Sequence, residues 1–119
     1  MNDGNSKRYD LEDRTFAFAK AIRSFVKKLP KTPGNGEDAK QLIRASGSIG
    51  ANYIEANEAL GRKDFAMKIR TCRRESKESC YWLRLVDPEL RTESERDRLL
   101  REATELMKIF GAILRKCDE

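Results

Sequence analysis

A chain of 119 residues is one domain's worth of polypeptide, and 38% charged against 39% hydrophobic residues, with 3 prolines and 7 glycines, excludes both a disordered tail and a collagen-like chain. Histidine is absent, which removes histidine metal ligands, histidine general bases and Ser-His-Asp or Cys-His nucleophile activation. The net charge is +5, and it is unevenly spread: residues 1–86 hold eighteen basic and eleven acidic side chains (net +7), residues 87–119 seven and nine (net −2). An excess of this kind attracts phosphate backbones or an acidic protein, or is simply a well-solvated surface.

Apolar residues recur at spacings of three and four in four segments, the helical period. The first carries Leu11, Thr15, Phe18, Ile22, Phe25 and Leu29 and predicts a helix over roughly 11–29, stopped by Pro30. Lys31-Thr32-Pro33-Gly34-Asn35-Gly36 is dense in breakers and reads as a reversing loop. The second segment, roughly 37–60, places Leu42, Ala45, Ile49, Asn52, Ala56 and Leu60 on one face. Gly47 and Gly50 inside it each cost about 1 kcal/mol relative to alanine, so they mark either a break or a close approach of another helix.

Asp64 is placed to cap a third helix over roughly 64–86, striped with Phe65, Ile69, Cys72, Ser76, Ser79, Leu83 and Val86 and ended by Asp87-Pro88. Thr92-Glu93-Ser94-Glu95 has the form of a capping box for a fourth, roughly 93–117, with Leu99, Ala103, Leu106, Phe110, Ile113 and Cys117 on one stripe and Leu100, Met107 and Leu114 on a second. Four such helices with short connections predict a single all-α domain over residues 1–119, an antiparallel up-and-down four-helix bundle. The bulk around Phe65, Tyr81 and Trp82, with the double stripe of the last helix, exceeds one bundle seam and implies self-association. The polar N-terminus, and the lack of any run near the roughly 18 apolar residues of a membrane span, lead us to expect a cytoplasmic protein with no membrane partner.

Three cysteines, Cys72, Cys80 and Cys117, without a CxxC or a histidine, read as reduced packing residues and make no closed zinc site. Glu55 and Glu58, then Glu75 and Glu78, fall at i, i+3. They could form a carboxylate site for a hard cation, but pairing of Glu55 or Glu75 with Arg44, Arg70 or Arg74 is the simpler reading, so no metal and no cofactor are expected. Asn52 on an apolar stripe needs partners such as Ser48, Ser76, Ser79 or Glu55. A buried network of Ser48, Asn52 and Glu55 that fixes helix register is favoured over a small-molecule or ion site. The serines have no adjacent base, so no catalytic residue is assigned.

The basic residues carry the main functional signal. Arg70, Arg73, Arg74 and Lys77 share a broad face of the third helix at spacings of three and four, and Arg62 and Lys63 precede them, so several side chains can meet one phosphate backbone. Lys20, Arg23, Lys27, Lys28 and Lys31 form a weaker cluster.

The stretch Ser46-Gly47-Ser48-Ile49-Gly50-Ala51-Asn52-Tyr53-Ile54-Glu55-Ala56, followed by Arg62-Lys63-Asp64-Phe65 and Glu78-Ser79-Cys80-Tyr81-Trp82-Leu83, resembles the bacterial four-helix bundle family of 23S rRNA-intervening sequence proteins, also called S23 ribosomal proteins, over about residues 9–117. Family signature positions match Ser48, Asn52, Glu55 and Phe65. Gly50 and Ala56 differ from the proline and glycine common in the intervening-sequence branch. The resemblance implies a bundle that assembles into a ring, most often a homopentamer, with a basic surface suspected of binding RNA or DNA and no enzymatic activity. The alternative expectation is a protein-interaction scaffold with no nucleic-acid role.

Overall fold

The computed structural model describes the backbone of residues 3–118 and the side chains of residues 11–118. Four α-helices fill it, α1 (Asp3–Val26), α2 (Pro33–Asn57), α3 (Arg62–Leu85) and α4 (Glu93–Cys117), with a single 3-10 turn at Leu90–Thr92 and no strand among the described residues. α1 packs on α2 and α4, and α3 packs on the same two, so the helices enclose one core in a body of 45 × 29 × 19 Å.

The stripe read from α1 is the buried one: Leu11, Thr15, Phe18, Ile22 and Phe25, with Leu29 just beyond the helix end, are all in the core. They meet Leu42, Ile49, Ile69, Leu83, Leu106 and Phe110, which are fully enclosed, and each such side chain contributes about 1.5–3 kcal/mol by leaving water. Tyr53 of α2 and Phe110 of α4 reach across the core, with ring centroids 5.7 Å apart. Thr15, the polar member of the stripe, satisfies its buried hydroxyl within its own helix, donating to the carbonyls of Leu11 at 2.9 Å and Glu12 at 3.0 Å.

α1 stops at Val26, three residues short of expectation, because a tight turn takes over: the Leu29 amide bonds the Val26 carbonyl at 3.2 Å ahead of Pro30. The larger correction is at the next element. Pro33-Gly34-Asn35-Gly36 is the first turn of α2 and not a loop. Thr32 is the N-cap, its hydroxyl accepting from the Asn35 amide at 3.2 Å, and Pro33 occupies the first helical position, where its fixed φ and missing N–H cost nothing. α2 then runs unbroken through both internal glycines.

Two expected caps are not used. α3 starts at Arg62 with Gly61 as N-cap, which leaves Asp64 in the first turn, where a negative charge suits the helix dipole. Thr92 is the N-cap of α4 but turns its hydroxyl back to the Glu89 carbonyl at 3.0 Å, closing the 3-10 turn. Glu95 pairs with Lys28, in the turn after α1, at 3.0 Å, so the capping box does not form.

Candidate nucleic-acid interface

Contacts between neighbouring helices run in opposite orders: Arg44, Ile49 and Glu55 of α2 meet Glu78, Cys72 and Lys68 of α3, and Arg73 and Cys80 of α3 meet Gly111 and Thr104 of α4. This register decides which charges of α3 are spent and which remain. On the side facing α2, Glu75 is only 5% exposed and lies 3.5 Å from Arg44, whose other Nη is 3.0 Å from Glu78. Lys68 pairs with Glu55 at 2.9 Å, and the hydrogen bond and charge of Glu55 raise the Lys68 pKa above its ordinary value. The three acidic side chains along this seam, Glu55, Glu75 and Glu78, are thus paired with Arg44 and Lys68.

On the opposite side of α3, Arg62, Lys63, Arg70, Arg73, Arg74 and Lys77 are all exposed, and among the described residues only Arg74 has a carboxylate partner there, Glu75 at 3.8 Å. Arg70, Arg74 and Lys77 share one face, which Arg84 extends and which Met67, Tyr81 and Leu85 border with exposed apolar surface. Lys63 precedes Arg70 by two turns, about 10 Å along the axis. Arg62 sits at the helix start and is not gathered into the same face.

Arg73 reaches toward α4. A Cβ placed on Gly111 would lie 3.8 Å from Arg73 Nε and 3.7 Å from Arg115 Nη1, so two guanidinium groups from different helices converge over one glycine. Arg115 is absent from the sequence-based set because it lies in the net acidic quarter of the chain. The signal that could have found it is Gly111 one turn before an arginine on a helix edge. The contact also carries Lys77 level with Met107 and Lys108, and Lys108 is exposed. The basic face is therefore broader than α3 alone. The weaker cluster of α1 stays apart from it, since α1 packs on α2 and α4, and its Lys28 is committed to Glu95.

The expected polar network forms only in part. Asn52 donates to the carbonyl and hydroxyl of Ser48 at 2.9 and 3.0 Å, one turn back on its own helix, while Glu55 turns away to Lys68. Ser76 and Ser79 bond the carbonyls of Cys72 and Glu75 within α3 and do not reach Asn52. Cys72 is fully buried, and its thiol donates to the Ile49 carbonyl at 3.4 Å. Burial pushes its pKa up to about 12. Cys72, Cys80 and Cys117 are all free thiols, and no group of histidine, cysteine, aspartate or glutamate side chains suited to a metal occurs among the described residues. No helix among them is long and apolar enough to cross a membrane.

Residues 7–112 match the family model of the 23S rRNA-intervening sequence protein. The chain belongs to that family. Among solved structures, this 23S rRNA-intervening sequence family member is similar to a protein of unknown function from the S23 ribosomal protein family of Bacteroides thetaiotaomicron VPI-5482, with 31% identity and a TM-score of 0.77, over 92% of this chain and 98% of the other. No curated protein matches the chain. The likeness spans all four helices, so the family relation covers the elements that carry the basic face.

Proposed function

We propose that this member of the 23S rRNA-intervening sequence family is a non-enzymatic, cytoplasmic protein that binds the phosphate backbone of RNA or DNA through the outer face of α3, widened by Arg115 of α4. The observation that carries the reading is the division of charge on α3. Its inner seam pairs Glu55, Glu75 and Glu78 with Arg44 and Lys68, whereas Arg70, Arg73 and Lys77 have no ion-pair partner among the described residues. Phosphate contacts of this kind give affinity without sequence preference, because they replace condensed counterions and read no base edges.

We further infer an antiparallel up-and-down arrangement, supported by the opposed order of helix contacts, and a homo-oligomeric ring, a pentamer by family resemblance. The exposed Met67, Tyr81 and Leu85 beside the basic face support self-association. A ring repeats each weak patch, so effective concentration supplies affinity that one subunit lacks. No cofactor takes part. The test is binding to labelled ribosomal RNA fragments and to unrelated duplex DNA across a salt series, with Arg70, Arg73, Arg74 and Lys77 changed together to glutamine. The expected result is a log–log slope equivalent to several phosphates, falling by about one for each contact removed. Absence of binding by the wild type at physiological salt overturns the reading and leaves the protein-scaffold alternative.

A further inference from the structure

One side chain joins the two loops at one end of the bundle. Asn35, 4% exposed, donates from Nδ2 to the carbonyls of Pro30 and Asp87, both at 3.0 Å, and accepts at Oδ1 from the Asp87 amide at 2.9 Å. Both amide hydrogens and the carbonyl oxygen are used, so the α1–α2 turn and the segment after α3 are held by a single residue. The next residue is Gly36, and this is the one Asn-Gly pair in the sequence. Such a pair has an intrinsic reactivity, because glycine leaves its backbone nitrogen unhindered for attack on the preceding side-chain amide.

We propose that Asn35 is a modification site: the protein deamidates there when this end of the bundle opens, and the product cannot rebuild the clasp. In the reaction the Gly36 nitrogen gives up its proton to solvent and bonds to Cγ of Asn35. The Cγ–Nδ2 bond breaks, and the nitrogen leaves as ammonia after taking up a proton. Water then opens the cyclic imide to an aspartate or an isoaspartate, and water is the only reactant consumed.

The fold keeps this step closed. The Gly36 N–H is bonded to the Thr32 carbonyl at 2.9 Å, and a helical ψ of about −42° turns the nitrogen away from Cγ, which the three side-chain bonds hold in place. Opening of the end releases all of these together. Once the amide is lost, an ionised carboxylate has no hydrogen to donate, and its oxygen faces two carbonyl oxygens across the 3.0 Å that hydrogen bonds had spanned. A buried charge left with the Asp87 amide as its one remaining clasp donor and two carbonyl oxygens against it is expelled to water, so a reversible opening becomes a permanent one.

The full-length protein is incubated at neutral pH, native and in denaturing urea, and peptide mapping by mass spectrometry follows the mass gain of deamidation at Asn35. Reaction in urea and at least about tenfold slower reaction in the native protein are expected, the factor that an opening disfavoured by about 1.4 kcal/mol imposes. Gly36→Ala serves as the folded control, because an added Cβ meets nothing within 4 Å. It should keep or raise the urea midpoint and suppress the reaction in urea. Asn35→Asp, standing for the product, should lower the urea midpoint or fail to fold. Equal native and unfolded rates, an unslowed Gly36→Ala, or an Asn35→Asp protein as stable as the wild type would each overturn the proposal.

Discussion

Gly50 of α2 lies against Thr15 of α1 so closely that an added Cβ would stand 3.0 Å from the threonine Oγ1 and 3.4 Å from its Cβ. Alanine at this position would gain about 1 kcal/mol of helix propensity and lose about 1–3 kcal/mol to overpacking, so Gly50→Ala should be neutral to destabilising by about 2 kcal/mol. Gly47, whose nearest neighbour is the flexible end of Arg23 at 3.6 Å, has room, and Gly47→Ala should stabilise by up to about 1 kcal/mol. Thr15→Ala removes the clashing oxygen, and among the described residues that hydroxyl bonds only carbonyls of its own helix. The Gly50→Ala cost should therefore shrink in the Thr15→Ala background. Urea midpoints of the four single and double variants check this, and an additive pair would show that the two residues are not in steric conflict.

The buried Glu75 gives a second prediction. At 5% exposure its carboxylate depends on the charge of Arg44, 3.5 Å away, with Arg74 more distant at 3.8 Å. Removing one partner of a buried pair leaves an uncompensated charge, whereas removing both does not. Arg44→Met should cost about 2 kcal/mol in urea unfolding, less than a fully enclosed pair because Arg44 is half exposed. Adding Glu75→Gln should recover most of that loss. If Glu75→Gln instead worsens the Arg44→Met variant, the carboxylate is held by groups other than Arg44.

The core was legible because it is periodic: Leu11, Thr15, Phe18, Ile22 and Phe25 form one stripe in the sequence and one buried line on α1. The start of α2 was not, because proline and glycine break helices as residue types and only their place in the first turn makes them compatible with one. In place, Pro33 sits where no N–H is needed, and Asn35 is fixed by Asp87, fifty-two residues away in sequence, a partner no local pattern announces. The same limit hid Arg115. A helical wheel of α3 groups Arg70, Arg74 and Lys77, but only the packing of α4 brings a second guanidinium beside Arg73. Thr92 and Glu95 carry the residue types of a capping box, yet Glu89 and Lys28 win them, since a tertiary ion pair and a 3-10 turn compete for the same side chains.

Cys72 sets an upper limit on stability in alkaline solution. Burial raises its pKa from 9.0 to about 12 in the folded protein, so well below pH 9 the thiol is protonated in both states and has no effect. As pH rises from 9.0 toward about 12, the unfolded chain ionises first, and folding stability falls by about 1.4 kcal/mol per unit. Cys72→Ala should flatten this part of the pH profile at the cost of a small cavity and the bond to Ile49. Thiol labelling offers an independent check: in the native state Cys117, half-buried, should react ahead of Cys72. Prompt native labelling of Cys72 would contradict the enclosed position.

The convergence of Arg73 and Arg115 over Gly111 separates a structured phosphate contact from diffuse attraction to a positive protein. If one backbone phosphate sits between the two guanidinium groups, Arg73→Gln and Arg115→Gln should each weaken nucleic-acid binding and lower the salt slope by about one, and the double variant should lose little more than either alone. Arg98, also exposed on α4 but 13 residues before Gly111, changes the net charge by the same amount and serves as the control. Arg98→Gln should leave the slope nearly unchanged. Equal losses for Arg98→Gln and Arg115→Gln would mean that total charge governs binding, and the face defined by α3 and Arg115 would then have no special role.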